Sequence, residues 1–314
     1  MKNYNFLYCF DEGYNTQTLA SIYSVSKNIK NGNISIYILH KNPETFESFA
    51  QKIKGFNNID KVKIFKFEKD LSNYPNLKDS HVSEATYYRL FISEYISDEV
   101  DHLIYLDSDV FCINNPEYIL NYKINELLNS SYTISVTTEL FKNSINQEIF
   151  NKLNLKNEKY FNAGVMLIDY KKWNNLINIE KLLILLDELK NEIDNWDQDL
   201  LNKVFDGNYL ELTNFLNFRI NSHVKRIFYQ NSSFLIHFAG NHKPWTLEGA
   251  LDDGSSIYFE LLNELGIKPY NIKLKSRKFK SFIKLLSYIF TLKILKTNSP
   301  YHLLVQMFKA VIRI

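Results

Sequence analysis

Apolar and polar positions in the first third of the chain alternate between two periods. Tyr4 to Phe10 is dominated by apolar and aromatic residues and stops at Asp11-Glu12-Gly13-Tyr14, as a buried strand closed by a turn does. From Thr16 to Lys30 the spacing becomes helical, with Leu19, Ile22, Tyr23, Ser26 and Ile29 on one face. Asn31-Gly32-Asn33 breaks that helix. Ile34 to Leu39 predicts a second strand, Pro43 opens a second helix running to about Lys54, and Val62 to Phe67 predicts a third strand. Strands and helices in this order require right-handed crossovers and a parallel sheet, so the chain opens as an α/β layer of nucleotide-binding type.

The pattern continues less regularly. Glu84 to Ile96 has helical spacing and carries Arg89. His102 to Val110 reads as a strand that ends in two carboxylates, Asp107 and Asp109. Tyr132 to Thr138 predicts a strand ending at Glu139, and residues 144–153 a helix. Phe161-Asn162-Ala163-Gly164 reads as a turn leading into a short strand, Val165 to Ile168. Leu182, Leu185, Leu186, Leu189 and Ile193 form a helical stripe of the kind that packs a core. A short helix starts near Trp196, and Ser233 to Ala239 predicts a late strand running into His237-Phe238-Ala239-Gly240-Asn241-His242-Lys243.

The end of the chain differs. Within 277–296, Phe279, Phe282, Ile283, Leu286, Ile289 and Phe290 share one helical face, and Lys280, Lys284, Ser287 and Thr291 another. Asn298-Ser299-Pro300 interrupts, and 301–314 repeats the theme. This predicts a main domain over 1–270 and a basic amphipathic tail over 271–314.

Composition sharpens that division. The 314 residues are 45% hydrophobic and 15% aromatic, enough for a sizeable core. Net charge is +2, yet residues 273–314 hold ten Lys/Arg and no acid, leaving 27 basic against 35 acidic residues before them. A basic tail on an acidic body points to an anionic membrane surface as partner; with no recognised motif and an acidic body, nucleic acid is not expected. Cys9 and Cys112 lie in or beside apolar runs with no Cys/His cluster, which argues against a disulfide framework or zinc site and for a reducing cytosol. With neither a cleavable leader nor an apolar run of spanning length, the expectation is a cytoplasmic protein held peripherally on the inner face of a membrane.

Candidate chemistry gathers at strand ends. Asp11, Asp107, Asp109, Glu139, Asn162, Asp197, Gln198 and His237 all stand at a strand end or in the turn after one, and a parallel sheet collects such positions on one edge. In isolation each has an ordinary reading: Asp107 and Asp109 as turn residues, Arg89 as a surface ion pair, His237 as a core histidine, Asp197 as a helix cap. Asp197-Gln198-Asp199 repeats the Asp-x-Asp spacing, so spacing alone decides nothing. Together the residues are carboxylates, amides and one imidazole, which suits metal-assisted chemistry on a phosphorylated substrate. No phosphate-binding Gly-x-x-x-x-Gly-Lys-Ser/Thr loop occurs, and no Gly-x-Gly-x-x-Gly follows the first strand.

Six segments resemble, in order, the retaining nucleotide-sugar glycosyltransferases of family 8, above all the bacterial lipooligosaccharide and lipopolysaccharide galactosyl- and glucosyltransferases. They are Phe10 to Tyr14; His81 and Thr86 to Leu90; Tyr105 to Asp109; Tyr160 to Val165; Asp197 to Asn202; and His237 to Trp245. The resemblance implies a single-domain Rossmann-like fold with a mixed, mostly parallel sheet. It implies Mn²⁺, with Mg²⁺ as the alternative, on Asp107, Asp109 and His237. Asp11 and Tyr14 would hold uracil, and Gly240 and Lys243 the diphosphate. Arg89, Asn162, Ala163, Ser108 and Glu139 would line the donor site, with His81 facing the diphosphate and acceptor. Gln198 and Asp197 would stand nearest the reacting carbon. Gly13 stands where close relatives carry Asn, and Glu139 where they often carry Asp. The implied activity is retaining transfer of galactose or glucose from a UDP-sugar to a saccharide or glycolipid in surface-polysaccharide or lipopolysaccharide assembly. The competing readings are a metal-dependent nucleotidyltransferase or sugar-nucleotide phosphohydrolase, and a non-catalytic membrane-bound sugar-nucleotide binder.

Overall fold

The computed structural model describes residues 2–72, 74–75, 83–97, 99–220, 225–240, 243–247, 249–268, 272, 278–296 and 300–312. In chain order the elements are β1 (Asn3–Phe10), α1 (Asn15–Asn28), β2 (Asn33–His40), α2 (Glu47–Lys54), β3 (Ile59–Lys66), α3 (Ile92–Tyr95), β4 (His102–Leu106), β5 (Val110–Cys112) and α4 (Glu117–Leu128). Then follow β6 (Ile134–Phe141), α5 (Gln147–Lys152), β7 (Lys159–Asp169), α6 (Tyr170–Leu176), α7 (Ile179–Leu189), α8 (Trp196–Phe205), β8 (Leu210–Glu211), β9 (Phe218–Arg219) and β10 (Leu235–His237). Helices α9 (Ser255–Glu264), α10 (Lys278–Phe290) and α11 (Pro300–Ile312) close the chain. A 3₁₀ helix, Glu84–Phe91, precedes α3, so the predicted Glu84–Ile96 helix is mostly of the tighter kind.

Seven strands form the main sheet in the order β3-β2-β1-β4-β7-β6-β8. The first four are parallel, β7 runs antiparallel to both β4 and β6, and β8 is parallel to β6. The expected mixed, mostly parallel Rossmann-like sheet is therefore present. Both faces are covered, which is why β1 reads as a nearly continuous apolar run. Phe6, Tyr8 and Phe10 enter one buried cluster, and Leu7 and Cys9 the other. A small second sheet, β5-β10-β9, packs beside α1.

Three expectations need correction. Phe161 to Gly164 is no turn: it lies inside the 11-residue strand β7. Asn and Gly favour turns in isolation, but here Phe161 and Asn162 pair with Thr138 and Thr137 of β6, and the Gly164 carbonyl accepts from the Asp107 amide at 2.9 Å. Helix α1 is buried beyond its predicted stripe. Its Ser21 hydroxyl donates to the Val110 carbonyl, and its Ser24 hydroxyl accepts from the Cys112 amide. Polar residues thus weld α1 to β5. In α10, Leu285 and Tyr288 are buried, whereas Phe282, Ile283 and Phe290 of the predicted apolar face are exposed. Leu285, Tyr288, Ile294, Leu303 and Met307 join the same cluster as Ile257, Tyr258 and Leu261 of α9, so both C-terminal helices are anchored on the body.

Candidate active site

A cleft of about 470 Å³ opens at the carboxyl edge of the parallel strands. That is where an α/β sheet places ligands. Asp107 and Asp109 stand in the turn between β4 and β5, hence between the two sheets. The turn is closed by the Val110 amide donating to the Asp107 carbonyl at 3.0 Å, and the Thr18 hydroxyl of α1 donates to Ser108 Oγ at 2.7 Å. Strand β10 pairs antiparallel with β5, setting His237 opposite Val110. Carboxylate oxygens of Asp107 and Asp109 and a ring nitrogen of His237 lie within 4.8 Å of one another. His237 Nε2 is 3.3 Å from Asp109 Oδ1 and 3.9 Å from Asp107 Oδ2. Asp109 Oδ1 is buried without a hydrogen-bond donor. Two carboxylates and an imidazole around one orphaned oxygen are a donor set that fits a divalent cation.

Gly164 makes that approach feasible. A Cβ there would lie 2.2 Å from His237 Cε1 and 2.9 Å from Asp107 Oδ2. On the other side, Lys243 Nζ donates to Asp109 Oδ2 and, at 2.6 Å, to the Phe238 carbonyl. Burial pushes the Asp109 carboxyl up, but the Lys243 ammonium and then His237 outweigh it and hold it well below the usual carboxylate range.

A second charged group floors the cleft. Arg89 Nε pairs with Asp197, Arg89 Nη1 donates to the Ala163 carbonyl at 2.7 Å, and its guanidinium lies 4.5 Å from the Tyr105 ring centre. The Tyr105 hydroxyl donates to Asp107 Oδ1 at 2.6 Å. Burial pushes the Asp197 carboxyl up, opposed by Arg89 and the Thr86 hydroxyl, both of which donate to it. Asp197 lies in the first turn of α8; Asn195 takes the cap position instead. Trp196, at φ +51°, holds a left-handed conformation unusual for a bulky residue, where the chain turns from the cleft wall into α8.

Gln198 is held on three sides. Its Oε1 accepts from the Ala163 amide at 2.9 Å and from Asn162 Nδ2 at 3.4 Å, and its Nε2 donates to the Tyr160 hydroxyl at 3.1 Å. Asn162 Nδ2 also donates to Glu139 Oε2 at 3.1 Å, and Arg219 pairs with the other Glu139 oxygen.

Of the residues singled out from sequence, Tyr14, Arg89, Asp107, Ser108, Asp109, Glu139, Asn162, Asp197, Gln198, His237, Gly240 and Lys243 line this one cleft. Ala163 contributes backbone groups behind it. Asp11 is engaged at the rim, accepting from the Gly13 amide at 2.9 Å and from the Ser83 hydroxyl. His81 lies outside the described residues. Sequence reasoning gave no role to Thr18, Thr86, Tyr105, Gly164, Asn217 or Arg219. All but Asn217 and Arg219 fall in or near the quoted segments, and only Gly164 carried a signal, as a glycine within an apolar run.

A Rossmann-like sheet with a polar cleft and a carboxylate–imidazole cluster at its carboxyl edge is the arrangement of an α/β enzyme whose ligand binds at the strand ends. More narrowly, the chain belongs to glycosyl transferase family 8, whose model matches residues 5–249. The lipopolysaccharide 1,2-glucosyltransferase of Escherichia coli (strain K12) is 28% identical over 252 residues, which are 77% of this chain and 72% of that protein. Glycosyltransferase GlyF of Streptococcus pneumoniae serotype 4 is 24% identical over 224 residues, but this chain spans only 51% of its length. The fold is similar to the crystal structure of galactosyltransferase LgtC in complex with donor and acceptor sugar analogs, with a TM-score of 0.69 at 23% identity, covering 84% of this chain and 97% of that one. The protein is a glycosyltransferase, with a nucleotide sugar as donor and a saccharide as acceptor.

Proposed function

We propose that the enzyme moves a galactose or glucose from a UDP-sugar to a hydroxyl of a saccharide or glycolipid, with retention of configuration, in lipopolysaccharide or surface-polysaccharide assembly. In this reading Asp107, Asp109 and His237 hold Mn²⁺, or Mg²⁺ in its place. The observation that carries it is the orphaned Asp109 oxygen facing His237 in the floor of the cleft. A cation bound there supplies Lewis-acid stabilisation of the departing diphosphate. Lys243, already beside Asp109 at the cleft wall, is the chain's own cation for the same phosphates. Gly240, at φ +79° with open space where a Cβ would stand, lets backbone approach them closely. Tyr14 lines the cleft and is the stacking partner for the base, with Asp11 at the rim beside it.

Retention has two routes, and the side chains favour one. A covalent intermediate needs a free nucleophile. The Gln198 carbonyl oxygen already accepts from the Ala163 amide, and the buried Asp197 carboxylate is paired with Arg89. Both are better suited to holding hexose hydroxyls than to attack. We therefore favour same-face attack, with the leaving phosphate oxygen taking the acceptor's proton. The test is incubation with UDP-hexose and Mn²⁺. Slow release of UDP and free hexose supports transfer; hexose 1-phosphate as the product would refute the proposed transfer from a UDP-sugar. Asp109→Ala should lower turnover at least 100-fold with an unchanged circular dichroism spectrum, and undiminished turnover would refute the site.

The tail supports a location. Phe282, Ile283, Phe290, Leu292, Leu295 and Tyr301 are exposed on a segment with no acidic residue. Among the described residues, no helix is long and apolar enough to cross a membrane. Lying on an anionic surface fits such a segment, since each basic residue near it contributes roughly 1 kcal/mol. That surface would be the cytoplasmic face of the membrane.

A further inference from the structure

We propose that Asn217 is a positioning residue that holds a proton of His237 on Nδ1 and thereby aims Nε2, as the ligand nitrogen, at Asp107 and Asp109. This rests on the reading of that cluster as a cation site. His237, 3% exposed, lines the cleft, and Asn217, 2% exposed, lies behind it.

Hydrogen-bond polarity is dictated step by step from groups that have no choice. Asn162 Oδ1 accepts from the Gly164 backbone N–H at 3.1 Å, and a backbone N–H only donates. The other end of the same amide, Nδ2, faces a Glu139 oxygen at 3.1 Å, and a carboxylate only accepts. The Asn162 amide is therefore oriented from both sides. Asn217 lies 3.0 Å from Asn162 Oδ1 and must present Nδ2 to it. Its Oδ1 then faces His237 Nδ1 at 3.0 Å. An oxygen there requires Nδ1 to carry a proton, so Nε2 is the ring nitrogen turned to the carboxylates, and the neutral ring presents its lone pair there. A lone pair 3.3 Å from a carboxylate oxygen is repulsive unless a proton or a metal cation lies between them. The relay thus prepares a ligand rather than a hydrogen-bond donor. Glu139 and Arg219 at its far end, paired with each other, connect the metal ligand to the side of the cleft that holds Gln198.

Outer partners of a metal-bound histidine typically change metal affinity about 10–100-fold when removed. The experiment is a Mn²⁺ titration of the full chain followed by electron paramagnetic resonance, with Asp109→Asn as control. Asn217→Leu, similar in size but without an acceptor, should weaken Mn²⁺ at least tenfold. Asn217→Asp keeps the acceptor toward Nδ1 but loses the donor to Asn162 Oδ1, and should weaken Mn²⁺ clearly less than Asn217→Leu does. Turnover at saturating Mn²⁺ should be nearly unchanged in Asn217→Leu while the Mn²⁺ needed for half-maximal rate rises in parallel with the dissociation constant. Wild-type affinity in Asn217→Leu, or equal losses in both variants, overturns the proposal. If instead wild type and Asp109→Asn bind Mn²⁺ alike, the cation site itself is wrong. Should the variants not fold, ¹H–¹⁵N spectra of the metal-free wild type decide: a proton on His237 Nδ1 supports the proposal, and a ring protonated on Nε2 alone refutes it.

Discussion

Gly164 matters through the side chain it lacks. Gly164→Ala would put a methyl 2.8 Å from His237 Nδ1, too close for either group to stay. The nearest atoms to that methyl are all side-chain atoms of His237 and Asp107, so we expect a soluble, folded protein whose turnover falls at least 100-fold; a turnover assay beside a circular dichroism spectrum checks both halves. Arg89 is the opposite case, important for what it carries. It is buried against Asp197, and Arg89→Met would leave that carboxylate without its partner. Breaking a buried pair from one side costs about 3–5 kcal/mol, which urea unfolding can read. Asp197-Gln198-Asp199 shows how far residue identity alone was legible. Asp197 faces the cleft, whereas Asp199 is structural: its Oδ2 accepts from the Asp194 and Asn195 amides at 2.7 Å each. Alternate positions on a helix point to different surroundings, which spacing does not report. Asn217 was not legible at all, because a lone Asn before a two-residue strand carries no pattern.

The first three strands and two helices were legible because their apolar periods are long and regular. Two elements were misjudged for physical reasons. In α1, Ser21 and Ser24 count as polar on any hydropathy scale, yet they are buried because the backbone of β5 satisfies them. In α10, apolar residues occupy more than one face, so periodicity did not choose the face that packs. At the start of α4, Glu117 binds another element: its oxygens accept from the Lys30 amide at 3.1 Å and the Asn31 amide at 2.9 Å. Burial pushes its carboxyl up, but these donors and Asn115 together hold it below its ordinary value. A depressed folded-state pKa contributes stability above the ordinary carboxylate range and loses it as pH falls. Glu117→Gln should therefore cost about 1–3 kcal/mol near neutrality, and the gap to wild type should narrow below about pH 4 in urea unfolding.

For the molecule as a whole, the C-terminal helices serve the core and the surface at once. Leu285, Leu303 and Met307 are buried with α9, so deleting the tail would strip the body as well as the proposed membrane face. The cleaner test is Phe282→Ser with Phe290→Ser, both at exposed positions. Sedimentation with phosphatidylglycerol vesicles should fall several-fold while donor hydrolysis in solution is unchanged, and undiminished sedimentation would refute the membrane contact. The candidate site also spans the whole chain. Asp109 and Lys243 meet across 134 residues, a closure that costs about 4 kcal/mol in chain entropy. Asp107 follows a strand of the large sheet and His237 lies in the small one. A cation held between them would clasp the two sheets to each other, and only in the native state. Occupancy would then appear as thermal resistance: at 100 times its dissociation constant the ion adds about 2.7 kcal/mol. Melting with Mn²⁺ and with a chelator should differ by several degrees in wild type and by none in Asp109→Ala, so a melting curve without any sugar present can report whether the site is assembled.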